Sequence, residues 1–248
     1  MPTEPSQVLG VIPARWGSTR FPGKPLHPIA GKPLVQHVWD RCRECRNLAF
    51  LTVATDDARI AEAVEAFGGH VTMTRDDHPS GTDRAAEVAA AFPAMSHILN
   101  IQGDEPLIDP GLIDGLAAAL LADPELPMIT AANPVAASDP VLGDPNVVKV
   151  VIDRDGRALY FSRSQIPHPR NVPGDLVCYR HKGIYGFRRD FLFDFVAWPP
   201  SLLERTEGLE QLRALENGAR IHVVLTDDTS PGVDTPEQAA ILHDSLSR

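Results

Sequence analysis

Cysteine is scarce in this 248-residue chain. Its three cysteines, Cys42, Cys45 and Cys178, are odd in number and form no disulfide framework. Cys42 and Cys45 make a C-x-x-C, but a structural zinc site needs about four ligands and the sequence holds no second pair. A redox C-x-x-C opens a helix after a strand. This one falls late in a helix expected over residues 34–46, so both cysteines read as ordinary helix residues. Long apolar runs are also missing: none approaches the ~20 residues that span a bilayer. Residues 1–7 are polar with two prolines and do not read as a signal peptide. The expectation is a cytoplasmic protein with no membrane partner. Positive charge is in short supply too. Lys and Arg number 23 against 33 Asp and Glu, a net charge of −10, which disfavours a nucleic-acid partner. There is no internal repeat and no low-complexity tract.

Against that acidic background, residues 10–26 (GVIPARWGSTRFPGKPL) concentrate Arg15, Arg20 and Lys24 in one loop. The loop follows a short apolar segment, residues 8–12, and carries Gly17, Ser18 and Thr19. A cation-bearing, glycine-containing loop at the carboxyl end of a first strand is how an α/β protein builds a polyphosphate cradle. It is not a Walker A loop. Five residues separate Gly17 from Gly23, and Pro25 stands where a metal-binding hydroxyl belongs. A kinase or ATPase of the P-loop type is therefore disfavoured, and a nucleoside triphosphate held by backbone N–H groups and cations is the expected ligand.

Hydrophobic content of 43% suffices for a full core. Expected strands at 8–12, 49–54, 71–74, 97–101 and 128–132 alternate with helices at 34–46, 58–67, 83–91 and 110–121. Asp56-Asp57 caps the second helix, Gly68-Gly69 stops it, and Asp109-Pro110 opens the fourth. This alternation predicts an α/β fold with a doubly wound, mostly parallel, Rossmann-like sheet. Beyond residue 133 the pattern changes to strands at 147–152, 158–161 and 182–187, with an Asp155-Gly156 turn and a loop with three prolines over 167–173. Helices at 190–197, 201–217 and 236–246 and a strand at 221–225 close the chain. The expected organisation is a nucleotide-binding core over 1–133, a smaller antiparallel insertion over 134–200 serving as lid or dimer surface, and a return to the core over 201–248, in one compact unit.

Three further places carry polar groups suited to chemistry. Asp104, in QGDEP after the strand 97–101, sits where α/β sheets bind ligands and has no capping duty, because Asp109 fills it. An aspartate there is placed to hold Mg2+ against phosphate oxygens. Asp234, in GVDTPEQ, precedes the cap Thr235 and is open between a metal ligand and a turn residue. Ser80, Thr82 and Asp83 in PSGTDR are helix-capping residues by default, with the alternative of reading a base edge. Arg163, His181, Tyr185, Glu210 and Gln211, taken one by one, read as surface or structural residues.

Together the segments IPARWGSTRFPGKPL, VATDD, MTRDDHPSGTDR, NIQGDEPLI, NVVKVVID, ALYFSRSQIP, HKGIYGFRRDF, LEQLRALENG and GVDTPEQ resemble the 3-deoxy-manno-octulosonate (Kdo) cytidylyltransferase family, in family order over nearly the whole chain. The sialic-acid activating enzymes are similar at the start, but their loop runs toward K-N where this chain has Phe21-Pro22-Gly23-Lys24-Pro25. The proline-rich stretch 168–175 departs from the family pattern. The resemblance implies CTP and Kdo as substrates, CMP-Kdo and pyrophosphate as products, a place in lipopolysaccharide synthesis, Mg2+ as cofactor and a homodimer. It implies catalytic roles for Arg15, Lys24, Asp104 and Asp234, the two aspartates being the metal ligands. Nucleotide binding falls to Pro13, Ala14, Arg15, Ser18, Thr19, Arg20 and Lys24, and to Arg75, Ser80, Gly81, Thr82, Asp83 and Gly103. Sugar binding falls to Gln102, Arg163, His181, Tyr185, Glu210 and Gln211. The alternatives are an 8-amino-Kdo or sialic-type acceptor, or a catalytically silent nucleotide-binding module.

Overall fold

The apolar segment after residue 7 forms strand β1 (Val8–Pro13), buried at every position but the last. A strand covered on both faces needs no polar alternation. The computed structural model describes residues 7–17, 21–170 and 176–247. Ser18, Thr19 and Arg20 lie outside the described residues, as does most of the departing loop. After β1 come a 3-10 turn (Lys24–Leu26), β2 (Pro28–Ile29), β3 (Lys32–Pro33), α1 (Leu34–Cys42), β4 (Phe50–Thr55), α2 (Ala58–Ala66), β5 (Val71–Met73), α3 (Gly81–Ala91), β6 (His97–Asn100) and α4 (Pro110–Ala122). Then follow β7 (Met128–Ala136), β8 (Lys149–Ile152), β9 (Ala158–Ser162), β10 (Val177–Arg188), α5 (Arg189–Ala197), α6 (Leu202–Glu207), α7 (Gln211–Glu216), β11 (Ile221–Leu225) and α8 (Pro236–Leu246). Among the described residues no helix is long and apolar enough to cross a membrane.

The chain divides into two compact units, one of residues 1–118 with 230–248, the other of residues 119–229. The borders expected at 133 and 200 both fall inside the second. In the first unit the strands run β6-β1-β4-β5, every pair parallel, with Val11 beside Thr52 on one side and Asn100 on the other. The doubly wound α/β class follows from this: parallel neighbours demand crossovers, and the helices supply them. In the second unit β7 pairs parallel with β11 and antiparallel with β10, and β8 and β9 extend the antiparallel part from the start of β10.

Three elements differ from expectation for identifiable reasons. The helix expected to reach residue 46 stops at Cys42, because the Arg46 and Asn47 amides each donate to Asp114 Oδ1 at 2.9 Å. Cys45 therefore lies beyond the helix, not within it. Burial pushes the Cys42 thiol well up and Cys45 up to about 12, which disfavours a thiolate nucleophile at either. The helix expected over 201–217 is two helices, divided where Gly208 turns left-handed at φ 63. The strand expected over 182–187 extends to Val177–Arg188, since its polar first half is paired by β7 and β8.

The return from β6 brings its backbone against the end of β1. A Cβ on Gly103 would lie 2.6 Å from the Pro13 carbonyl oxygen, well inside contact distance. Gly103→Ala is expected to displace one of these segments at ~1–3 kcal/mol. Thermal melting checks this, and an unchanged midpoint contradicts the packing.

Candidate active site

The carboxyl ends of β1 and β6 open onto a cavity of about 270 Å³. From the loop after β1 it is walled by Pro13, Ala14, Arg15 and Lys24, and from the loop after β6 by Gln102, Gly103 and Asp104. Ser80 and Gly81 at the start of α3 and Asp234 before α8 complete the expected residues on its wall. Outside strand ends of this kind are where open α/β sheets take ligands. The Ala14 N–H is taken up by Ala54 O at 2.9 Å, so that amide is not a phosphate donor. Arg15 is exposed.

Lys24 is the hub. Its Nζ donates to Asp104 Oδ2 at 2.7 Å and to Asp234 Oδ1 at 3.2 Å. The lysine side chain is only 15% exposed, against 29% for Asp104 and 46% for Asp234. Water still screens the Asp234 arm, so the pair contributes modestly to stability. Its significance is geometric: two carboxylates converge on one cation. The backbone holds them there. The Val233 amide donates to Asp104 O at 2.8 Å, and the Asp234 amide donates to Gln238 Oε1 at 2.7 Å. The same Gln238 forms a capping box with Thr235 at the start of α8. Phe21, beside the cradle, and Val233, beside Asp234, share a buried cluster with Ile29, Leu34, Ala239 and Leu242. Among the described residues no group of three or more His, Cys, Asp or Glu gathers as a metal site.

The PSGTDR segment performs the capping its sequence suggested. Ser80 Oγ accepts from the Thr82 and Asp83 amides at 3.1 and 3.2 Å and donates to Asp83 at 2.6 Å. Thr82 is buried and accepts from Asn100 Nδ2 at 3.1 Å. Neither Thr82 nor Asp83 reaches the cavity wall, and Arg75, its side chain 67% exposed, stands outside it beside Asp77. Three residues not expected at the site line the wall, Pro25, His78 and Arg84. Arg84 is 3% exposed, donates to the Thr74 hydroxyl and lies 2.8 Å from Asp56 Oδ1. His78 Nε2 meets Glu87 Oε2. Burial raises the Glu87 carboxyl, but the His78 and Arg75 N–H contacts outweigh it and leave it below the usual range. His78 and Arg84 stand in the quoted MTRDDHPSGTDR segment. The clue available in sequence was their position, one just before the helix and one in its first turn.

Five of the expected sugar residues belong to the second unit. Tyr185 is buried and donates to Gln211 Oε1 at 2.9 Å. Its ring lies 5.5 Å from that of His181. Burial first, then the charge of Glu210, raises the Tyr185 hydroxyl well above its ordinary value. These four side chains thus form one cluster. Arg163 is tied to the end of α6 and to Pro145: Nε donates to Glu207 O at 2.6 Å, Nη2 to Gly208 O at 3.3 Å and Nη1 to Pro145 O at 3.0 Å. Two of the five N–H groups of a guanidinium are not used by these bonds. Gln211 is fully buried, and its Nε2 has no hydrogen-bond partner among the described residues. Gln102, the sixth, lines the cavity of the first unit.

An acid pair and a basic loop around a cavity at strand ends define a nucleotide-handling α/β protein. The family described as Cytidylyltransferase matches residues 9–221. The 3-deoxy-manno-octulosonate cytidylyltransferase of Syntrophotalea carbinolica is 52% identical over 238 residues, 93% of this chain and 94% of that protein. That of Pseudomonas syringae pv. tomato is 53% identical over 240 residues, covering 92% and 93%. The solved structure of CMP:2-keto-3-deoxy-manno-octonic acid synthetase complexed with CTP matches at TM-score 0.93 and 44% identity, covering 98% of this chain and 99% of that one. The chain belongs to the 3-deoxy-manno-octulosonate cytidylyltransferase family. The 4-diphosphocytidyl-2C-methyl-D-erythritol synthase of Anaerococcus prevotii, 15% identical at TM-score 0.65 and covering 98% of this chain and 97% of that one, shares the fold.

His181 gives a pH test of the second-unit cluster. Burial lowers it from 6.5 to about 3, so the folded protein holds it neutral. Its Nε2 lies 2.9 Å from the Thr130 hydroxyl, which donates to Ile184 O at 2.7 Å and accepts from the ring N–H. Below pH 6.5 the unfolded chain takes up a proton that the folded one refuses, so stability present above 6.5 is lost as pH falls toward 3. Urea denaturation across that window is expected to show the loss, and His181→Gln to flatten it. An equally steep profile in the variant contradicts a buried neutral imidazole.

Proposed function

We propose that this chain transfers the cytidylyl group of CTP to Kdo, releasing pyrophosphate, with Mg2+ held by Asp104 and Asp234. The observation that carries the reading is the meeting of Asp104 and Asp234 on the Lys24 ammonium in the wall of the cavity. The carboxylates fit a divalent ion: they are hard oxygen donors, already gathered round one positive charge, and phosphate and water oxygens supply the remaining ligands. When bound, Mg2+ neutralises phosphate charge and polarises the reacting phosphorus centre.

The anomeric hydroxyl of Kdo attacks the α-phosphorus in line. A bond forms from that oxygen to phosphorus as its proton passes to water, and the bond from phosphorus to the pyrophosphate oxygen breaks. Such a transfer depends on positioning and charge neutralisation, with no covalent enzyme intermediate. Arg15 and Lys24 bind the triphosphate and neutralise charge growing on the leaving pyrophosphate. Ser80 and Gly81, at the start of α3, present the α3 N-terminus to the nucleotide. The Kdo carboxylate is assigned to Arg163, and its hydroxyls to His181, Tyr185, Glu210 and Gln211. The buried Gln211 Nε2, which lacks an acceptor among the described residues, supports a ligand oxygen at that cluster.

Family resemblance supports a cytoplasmic homodimer whose product feeds lipopolysaccharide synthesis. The exposed Leu159 and Val177, on antiparallel strands, are apolar surface that a dimer would cover. The 8-amino-Kdo, sialic-type and silent-module alternatives are not favoured, since the relatives are named for Kdo and carry cytidylyltransferase activity in those names.

Pyrophosphate release from CTP and Mg2+, with and without Kdo, tests the reading. Release is expected only with Kdo, and Asp104→Asn is expected to lower kcat by ~100-fold or more. No Kdo-dependent release contradicts the function. Near-normal turnover of the variant removes Asp104 from the mechanism.

A further inference from the structure

The loop after β1 leaves through Trp16 and returns through Gly23, and these two residues are bound to each other. The Gly23 amide donates to Trp16 O at 3.0 Å. Gly23 is left-handed, φ 72, and a Cβ there would lie 3.0 to 3.4 Å from three atoms of the indole six-membered ring. The ring thus packs against the Gly23 backbone, one residue before Lys24. Over the indole stands Arg59, its Cζ 3.4 Å from the ring centroid. Arg59 is fixed in turn: Nε donates to Asp57 Oδ1 at 2.9 Å and Nη2 to Asp57 Oδ2 at 2.6 Å. Asp57 is the N-cap of α2, which follows the strand paired with β1. Neither Trp16 nor Arg59 lines the cavity.

We propose that Trp16, clamped under Arg59, is a positioning residue for CTP: it holds the neck of the cradle so that Lys24 and Arg15 face the triphosphate before the nucleotide arrives. This rests on the function proposed above. Arg15 and Lys24 line the cavity from the two sides of this neck, and an unrestrained loop would lose order that binding must then restore. The stacked indole prevents this by filling the space against Gly23. Arg59 holds the indole through its charge over the ring face, where a cation is attracted to the aromatic quadrupole. Asp57 keeps that guanidinium from leaving the ring for the phosphates.

Calorimetric CTP binding with Mg2+, alongside thermal melting and turnover, tests the clamp. Trp16→Ala is expected to weaken CTP about tenfold, with kcat at saturating CTP and the KM for Kdo little changed. Trp16→Phe is expected to restore most of the affinity, and Arg59→Ala to weaken CTP several-fold. The melting temperature is expected to stay near that of the parent in all three. Unchanged CTP affinity in Trp16→Ala, failure of Phe to rescue it, or a loss matched by a lowered melting temperature overturns the proposal. Parent-like affinity in Arg59→Ala overturns the part given to the cation. Because binding is read apart from turnover, a parent protein that binds CTP but releases no pyrophosphate with Kdo sinks the proposed function and leaves the clamp standing. A parent that binds no CTP sinks both.

Discussion

One ammonium group organises the first unit of this protein. Lys24 reaches Asp104, 80 positions away in sequence, and Asp234, 210 positions away. Two carboxylates drawn together without a cation would repel and raise one another's proton affinity. With the lysine between them both stay within reach of the cavity. The contact could not persist if the three loops were independent. They are not: Val233 donates to the Asp104 carbonyl, and Phe21 and Val233 bury themselves in one apolar cluster. The apolar packing sets the position of the loops, and the charges take up what that position allows.

The second unit solves a different problem, that of keeping polar groups inside. Lys149 has no exposed surface, and its ammonium donates to the carbonyls of Asp144, Val147 and Arg163, while burial lowers its pKa. Lys182 and Asp228 pair at 3.0 Å with side chains 4% and 6% exposed. Buried charges are costly unless compensated: Lys149 by three carbonyls, Lys182 by an ion pair. In the cluster of His181, Tyr185 and Gln211 the bonds are fewer, and the amide of Gln211 stands as a donor without an acceptor among the described residues. A polar interior that is satisfied elsewhere and open at one cluster is the physical basis for assigning a polyhydroxylated acid to it.

Much of the architecture was legible in sequence because local signals and tertiary packing agree. A continuous apolar run marked β1, and caps at Asp57, Asp109 and Thr235 marked helix starts. The failures have long-range causes. The end of α1 is set by Asp114, whose carboxylate collects amides that would otherwise continue the helix. The two-residue strands β2 and β3 carry no periodicity at all, and were invisible for that reason. Site residues were harder. Asp234 could not be told from a turn residue, since its meaning depends on meeting Lys24. Thr82 and Asp83 looked like caps or base readers, and the bonds of Thr82 and Asp83 are those of a buried helix start. The Trp16 clamp depends on an arginine in the first turn of α2, which no local motif announces.

The central claim is that Asp104 and Asp234 share one cation beside the triphosphate. A crystal grown with CTP and Mn2+, with anomalous data collected for the metal, tests it directly. The account predicts a metal peak bonded to both carboxylates, with the phosphates between it and the Lys24 and Arg15 side chains. A metal bound elsewhere, or carboxylates turned away from each other with CTP in place, would contradict it.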